Sequence, residues 1–264
     1  MPHLAHERYC TEVTAQTTLL RDAVRATDLG ARVPTTPDWD LGELAVHVGG
    51  AHRWAAVLVS SRAERDIPDD EVPGFYGPEP REPGALDFWL AEGAELLANA
   101  LREAGPDTPV WSWAPGRRTA GFWARRMTHE TVVHRADAAG AVGPDFDVAP
   151  EVAADTLDEW LEILDLAQRE EDDEDLAALR DPSLAGRTLH LHATDAPDAE
   201  WLIELGESGF TWQRAHHKAD VALRGPLADV LRVFYRRLPA TSPRVEVLGD
   251  AKLLDTWLER ASWN

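Results

Sequence analysis

The apolar pattern of this 264-residue chain changes its period part of the way along. Up to about residue 168, apolar side chains recur every three to four positions, as they do on one face of an amphipathic helix. Beyond that point, short stretches such as TLHLHAT and AEWLIELG alternate apolar with polar residues, which is typical of β-strands. Helices first and strands second indicate two domains, α and then α/β. We place the boundary near residues 145–150, giving domains 1–147 and 148–264.

The helical part is divided by breakers into four long amphipathic segments, which favour an antiparallel four-helix bundle. The second begins at DLGE, where Asp40 and Glu43 fit a capping box. Residues 62–84 hold five prolines and mixed charge, and we interpret them as a long surface loop, either a lid or a disordered excursion. The four predicted helices span about residues 4–27, 40–61, 85–104 and 120–142.

The second part opens with a fifth helix, about residues 151–168, followed by six consecutive acids at 170–175. Such a run is usually a solvated, self-repelling segment, and cation binding is the minor alternative. FTWQR, ADVALRG and VEVLGD complete the set of predicted strands. The stretches GPLADVLRVFYRRLP and AKLLDTWLERASW are predicted helices.

Composition excludes several classes of protein. A formal net charge of −21 provides no basic footprint for nucleic acid. The single cysteine, Cys10, permits neither an internal disulfide nor a cysteine metal cage, and we expect it to be a buried structural thiol. No apolar run reaches the ~18 residues that a membrane span needs, and no secretory signal is visible. We therefore expect a cytoplasmic protein, monomeric or homodimeric, without a membrane or nucleic-acid partner.

The predicted fourth helix carries ionisable side chains on its inward stripe. With ~100° per residue and Glu130 as zero, His134 falls near +40° and Asp137 near −20°. Trp123 and Met127 lie on the same stripe, at about +20° and +60°. A carboxylate and an imidazole among core residues must be paired or bound to a cation, because burying them alone costs several kcal/mol.

The second helix supplies a matching side chain. His47 falls on its apolar face, whereas His52 lies about 140° further round and is predicted to be exposed. His47, Glu130 and His134 would give three ligands and one open position, the arrangement of a catalytic zinc site, with Asp137 accepting a hydrogen bond from His134. The alternative is a buried network of the same residues with neighbouring arginines and no metal, and spacing alone leaves both open.

Two stretches together resemble a known family. TPDWDLGELAVHVGGAHRWAA is similar to the second-helix motif of the mycothiol-dependent maleylpyruvate isomerase family, in which P-x-W precedes L-x-x-H and a glycine. FWARRMTHETVVHRADA resembles that family's R-x-x-H-E-x-x-x-H-x-x-D stretch. ADVALRGPLADVLRVFYRRLP followed by VEVLGDAKLLDTWL looks like its C-terminal domain.

The resemblance implies a DinB-like four-helix N-terminal domain and a smaller, sterol-carrier-like α/β C-terminal domain. It also implies a divalent metal, normally zinc, at the positions of His47, Glu130 and His134, with mycothiol as the thiol cosubstrate. A C-terminal arginine serves the substrate in the founding isomerase. Here Arg236 and Arg237 stand where that family's W-G-R becomes Y-R-R, so the resemblance does not single out one of them.

Three functions remain open. The first is a mycothiol-dependent enzyme, either an S-transferase acting on a small electrophile or a cis–trans isomerase of an unsaturated keto acid. The second is a metal-dependent hydrolase, and the third a non-catalytic small-molecule binding protein. Within the first, we expect transfer, because a dianionic substrate needs positive charge and only Arg126 approaches the inward face. The expected surroundings are apolar and aromatic: Trp54, Trp123, Met127 and Trp89.

Overall fold

The computed structural model describes residues 3–26, 28–79, 81–143, 146–169 and 174–261. Contacts between residues divide the chain into two compact units, Met1–Phe146 and Asp147–Asn264. No helix in the described part of the chain is long and apolar enough to cross a membrane.

The first unit is helical, as the period of its apolar residues predicts. Two of its long helices, α1 and α2, each pack against both of the others, α3 and α4. The predicted and observed bounds of α4 are identical, and the other helices begin or end within about two residues of their predicted bounds. These helices are α1 (His6–Ala26), α2 (Leu41–Ser61), α3 (Pro83–Ala104) and α4 (Ala120–Val142).

The start of α2 is fixed by the predicted capping box. The backbone N–H of Glu43 donates to Asp40 Oδ1 at 2.8 Å, and the backbone N–H of Asp40 donates to Glu43 Oε2 at 2.9 Å. A side-chain cap of this kind contributes about 1 kcal/mol to helix stability. Leu41, Leu44 and Val48 follow on the buried face, none with any exposed surface. The cap therefore sets the phase in which α2 presents its side chains to α4.

The proline-rich loop at 62–84 is mostly exposed but attached to the helices at several points. Trp54 of α2 donates its indole N–H to the carbonyl of Ile67 at 2.9 Å, and Trp89 of α3 donates to the carbonyl of Gly74 at 3.0 Å. Val72 is buried, with 4% of its surface exposed. These contacts do not fit a disordered excursion.

The second unit is a five-stranded mixed sheet with helices. The strand order is β3-β2-β1-β4-β5, in which β1 and β4 are parallel and the other neighbours antiparallel. The strands are β1 (Thr188–Ala193), β2 (Glu200–Gly206), β3 (Gly209–Arg214), β4 (Val221–Gly225) and β5 (Glu246–Gly249). The helices are α5 (Pro150–Ala167), α6 (Glu174–Ala178), α7 (Leu227–Phe234) and α8 (Ala251–Arg260).

The two faces of this sheet differ in character. Leu189 and Leu191 of β1 are buried, and α7 packs against β1 and β4. Because side chains alternate along a strand, His190 and His192 lie on the opposite face.

The acidic run is only partly described, since 170–173 lie outside the described residues. Its last member, Asp175, forms an ion pair with Arg260 at 2.8 Å.

Candidate metal centre

Helices α2 and α4 face each other along matching stripes. His47 Nε2 lies 3.2 Å from Glu130 Oε1, and the ring centroids of Trp54 and Trp123 are 4.9 Å apart. Both steps, from His47 to Trp54 and from Glu130 to Trp123, are seven residues, or nearly two helical turns. The first step advances along the chain and the second goes back, so the two helices run in opposite directions. The predicted inward stripe of α4 therefore meets α2.

His47, Glu130 and His134 come together around one carboxylate oxygen. His134 Nε2 lies 3.1 Å from Glu130 Oε1, the same atom that His47 approaches. The imidazole centroids of His47 and His134 are 4.7 Å apart. The side chains of His47 and Glu130 keep 38% and 25% of their surface exposed, whereas His134 keeps 11%. The group is thus open to small molecules on the side of His47.

Asp137 orients His134 from behind. The fully buried carboxylate accepts a hydrogen bond from His134 Nδ1 at 2.8 Å. Its other oxygen accepts from the hydroxyl of Thr35, which lies in the segment before α2. A proton fixed on Nδ1 leaves Nε2 as the nitrogen that faces Glu130 and His47.

Arg126 is the arginine that reaches the inward face, as helix rotation predicts. Its guanidinium donates to Glu130 Oε2 at 2.9 Å, and 9% of its side chain is exposed. One oxygen of Glu130 therefore faces the two histidines and the other faces Arg126. Arg125 and Arg135 are also buried, and the guanidinium of Arg135 lies 4.3 Å from the ring centre of Phe146.

The ionisation of the group follows from these contacts. Desolvation, the largest single influence on Glu130, raises its pKa. The charge of His134 and hydrogen bonds from both histidines outweigh it, together with the charge of Arg126, and hold that pKa well below its ordinary value. Desolvation lowers the pKa of His134, but Glu130 and Asp137 outweigh it and raise this pKa to about 9. Glu130 is therefore a carboxylate at neutral pH, beside a cationic His134.

Trp39 is a member of the site that helix rotation does not identify. Its ring centroid lies 4.9 Å from that of His47 and 6.3 Å from that of His134. It lies just before the Asp40 cap, outside the helix, so no helical phase could be assigned to it. The signal available in the sequence was its fixed distance from the cap and the histidine in TPDWDLGELAVH.

The prediction that His52 is exposed is wrong. Its ring is fully buried, and its Nε2 lies 2.8 Å from the hydroxyl oxygen of Thr131 on α4. Helix α2 packs against α3 as well as α4, so its buried arc is wider than a single apolar stripe. Burial, followed by the nearby charge of Arg53, lowers the pKa of His52 to about 3. His129 on α4 is also buried, with its ring edge-on to Tyr9 of α1.

Two of the predicted aromatic side chains, Trp54 and Trp123, lie further along the interface between α2 and α4. Trp54, Trp111 and Trp123 form a cluster, joined by a hydrogen bond from the Trp123 indole to the carbonyl of Trp111 at 2.7 Å. Nearly two helical turns separate this cluster from the His47–Glu130 contact, a distance of about 10 Å. Met127 belongs to the same core, whereas Trp89 stacks on the guanidinium of Arg53.

The two C-terminal arginines follow Tyr235, the residue that caps the end of α7. Arg236 has a left-handed backbone conformation, with φ of 61°. Arg237 donates from its guanidinium to the carbonyl of Tyr235 at 2.7 Å.

The chain is thus a two-unit protein: the helical unit carries a donor set of two histidines and one carboxylate, and a mixed α/β unit follows it. Sequence comparison with protein families matches residues 10–139 to the mycothiol maleylpyruvate isomerase N-terminal domain and residues 151–256 to the MDMPI C-terminal domain. The chain belongs to the mycothiol-dependent maleylpyruvate isomerase family, as its motifs suggested. Comparison with curated proteins finds no match.

Two solved structures share the fold. One is described as the mycothiol-dependent maleylpyruvate isomerase, with a TM-score of 0.53 and 20% sequence identity. The other is a histidine-to-alanine mutant of such an isomerase, with a TM-score of 0.54 and 19% identity. Each comparison covers 94% of this chain and 95% of the other. At this level of identity the likeness establishes the architecture.

Proposed function

We propose that this chain is a mycothiol-dependent enzyme whose site holds a divalent cation, zinc, through His47, Glu130 and His134. The observation that carries this proposal is the approach of two imidazole nitrogens, from two different helices, to Glu130 Oε1 at 3.1 and 3.2 Å. Arg126 donates to the opposite oxygen, Oε2, and so leaves Oε1 and the two imidazole nitrogens facing one another. Membership of the mycothiol-dependent maleylpyruvate isomerase family supports mycothiol as the thiol cosubstrate.

The donor set fits zinc in its chemistry and its spacing. Zinc takes histidine nitrogen at about 2.0–2.1 Å and carboxylate oxygen at about 2.0–2.2 Å, in tetrahedral geometry. Two such ligands are then roughly 3.3 Å apart. The two nitrogen–oxygen distances at Glu130 are close to that separation. Three protein ligands would leave one coordination position for a thiol, and the exposed side chain of His47 gives small molecules access to the group.

Each residue then has a defined task. A zinc ion in this position would supply its charge to lower the pKa of an incoming thiol, so that the thiol is present as thiolate at neutral pH. Asp137 keeps the proton of His134 on Nδ1 and so directs Nε2 into the site. Arg126 holds the second oxygen of Glu130 and limits rotation of the carboxylate. Trp39 forms an apolar wall against both imidazoles.

We favour thiol transfer to a neutral electrophile over isomerisation of a dianionic keto acid. Arg126, a cation that contacts the donor set, is already bonded to Glu130. Aromatic rings lie on this side of the bundle: Trp39 is beside both imidazoles, and Trp54 lies about 10 Å further along α2. A chain with net charge −21 also repels a dianion, although salt screens this over about 8–10 Å.

The proposal extends to the architecture that the family implies. We propose that the helical unit is a DinB-like antiparallel four-helix bundle, spanning about residues 1–147. We also propose that residues 148–264 form a sterol-carrier-like α/β domain. Packing of α1 and α2 against both α3 and α4 supports the first assignment, and the five-stranded mixed sheet with helix α7 supports the second.

Calorimetry on untagged protein tests the metal and the thiol together. Mycothiol titrated into zinc-loaded protein should give a saturable heat that is absent from metal-stripped protein and from His47→Ala. The His47→Ala variant should also lose one equivalent of zinc by elemental analysis. His52→Gln, which removes an imidazole from the same helix, should keep both properties. Full zinc content in His47→Ala would refute this ligand set.

A comparison of substrates tests the reaction. With mycothiol and zinc present, a neutral alkylating bimane should be consumed far faster than maleylpyruvate. Efficient formation of fumarylpyruvate would instead assign the chain as an isomerase. Ester hydrolysis that depends on zinc and not on mycothiol would favour the hydrolase alternative, and binding without turnover would favour a carrier.

A further inference from the structure

A second group of metal-type donors lies on the sheet of the C-terminal unit. His190 and His192 are two residues apart on β1 and therefore share one face. Glu200 begins β2 and is the register partner of His192. His216 follows the end of β3, beside Ala215, whose backbone N–H donates to the carbonyl of Glu200. Three separate segments thus bring their side chains to one place.

The three imidazoles converge on a single atom. The distances to Glu200 Oε2 are 2.7 Å from His190 Nε2, 2.9 Å from His192 Nδ1 and 2.6 Å from His216 Nδ1. The three ring centroids form a nearly equilateral triangle with sides of 5.5–5.8 Å. All four donor atoms lie within 4.8 Å of one another.

This arrangement exceeds what one carboxylate oxygen accepts well. Such an oxygen offers two lone pairs, whereas three imidazole nitrogens point at Glu200 Oε2. His192 and His216 are partly and largely exposed, so water could satisfy their ring nitrogens at little cost without a shared acceptor. Convergence of three nitrogens and a carboxylate is expected where a small cation occupies the centre of the group.

Two members of the group are mostly buried, and one is exposed to solvent. The side chain of His190 is 7% exposed and that of Glu200 18%, whereas His216 is 76% exposed. Arg224 is the register partner of His192 on β4, and its charge is directed toward Glu246, 3.2 Å away. The exposed side chain of His216 therefore gives a cation access to the group.

We propose that His190, His192, Glu200 and His216 form a second divalent-metal site, separate from the donor set of α2 and α4. Three imidazole nitrogens and one carboxylate oxygen suit zinc or a similar borderline transition metal, and calcium and magnesium prefer oxygen ligands. Four protein ligands complete a tetrahedral shell, which is the mark of a structural site. Bound metal would tie β1 and β2 to the segment that follows β3.

The chain provides a matched control for the test. His217 is the sequence neighbour of His216, but its Nδ1 lies 2.8 Å from the carbonyl oxygen of Lys218 and it is not among the four donors. The experiment uses untagged full-length protein, stripped with a chelator, reloaded with zinc and dialysed. Zinc per chain is measured by elemental analysis for wild type, His192→Ala/His216→Ala and His217→Ala, with circular dichroism as the check on folding.

The expected result is a loss of one equivalent of zinc in His192→Ala/His216→Ala and no loss in His217→Ala. Zinc should also raise the melting temperature of the His47→Ala protein, in which only the second site remains, and this rise should vanish when His192 and His216 are replaced as well. If the double variant folds and keeps the wild-type zinc content, the site does not exist. Equal losses in the control would mean non-specific binding and would overturn the proposal too. Because the readout is equivalents lost on substitution, failure of the first site leaves this test unaffected.

Discussion

Replacement of Asp137 by asparagine probes how the candidate metal centre is held. The carboxylate is fully buried, accepts from His134 Nδ1 at 2.8 Å and also binds the hydroxyl of Thr35. Asparagine keeps the size and an acceptor oxygen but removes the charge. A hydrogen bond to a charged group contributes about 1.5–3 kcal/mol and a neutral one about 0.5–1.5 kcal/mol. The difference, about 1–1.5 kcal/mol, corresponds to roughly tenfold weaker zinc binding.

Competition with a zinc-chelating dye measures this change directly. The assay is cleanest in the His192→Ala/His216→Ala background, where the proposed second site is removed. Thr35→Val is the matched control, because it removes the other contact of Asp137 without altering its charge, and it should weaken binding less. Equal zinc affinity for wild type and Asp137→Asn, with both proteins folded, would refute the role assigned to Asp137.

Three further predictions concern stability. His52 has a folded-state pKa of about 3, below its unfolded value, so the unfolded state binds its proton first as the pH falls. Between pH 6.5 and 5, the free energy of unfolding of the wild type in denaturant should therefore fall by about 1.6 kcal/mol more than that of His52→Gln. Gly49→Ala should destabilise the protein by about 1–3 kcal/mol in thermal unfolding, because its methyl group would overlap the Trp89 ring. Asp158→Ala should cost about 1.5–3 kcal/mol in urea, since the carboxylate accepts hydrogen bonds from Nε and Nη2 of Arg214 and from the indole N–H of Trp201.

A specific experimental result would contradict each of these predictions. Parallel pH profiles for wild type and His52→Gln would show that the imidazole is not held neutral. Gly84, beside which a methyl group meets nothing within 4 Å, is the control for Gly49, and Gly84→Ala should leave the midpoint unchanged or raise it. An unchanged urea midpoint in Asp158→Ala would mean that Arg214 gains nothing from its partner.

Helical periodicity predicts well where one side of a helix decides its contacts. It predicted the bounds of α4 and the meeting of Glu130, His134 and Asp137 on one stripe, while the DLGE motif predicted the Asp40 cap. Periodicity failed for His52, because α2 contacts two neighbours and a periodic pattern describes only one buried face. Trp39 was missed for a different reason: it lies in the connection before the helix, where position depends on the cap and not on rotation.

The histidines of the sheet show a second limit. TLHLHAT was interpreted as a strand because of its alternation, and the alternation is explained by the buried leucines alone. The pattern does not show which strands pair with β1. His190 and His192 meet Glu200 only through antiparallel pairing and His216 only through the third strand. The sequence signal for this group of donors is a His-x-His within a predicted strand.

Each donor set is drawn from within one of the two contact units, since His47, Glu130 and His134 precede Phe146 and the four sheet donors follow it. Recombination near residue 146 would therefore transfer either set whole, together with the helices or strands that position it. Relatives that exchange one half need not re-evolve coordination chemistry residue by residue. Substrate diversity among relatives can then arise when a unit with an intact donor set is joined to a different second unit. Point substitution alone does not provide such new combinations.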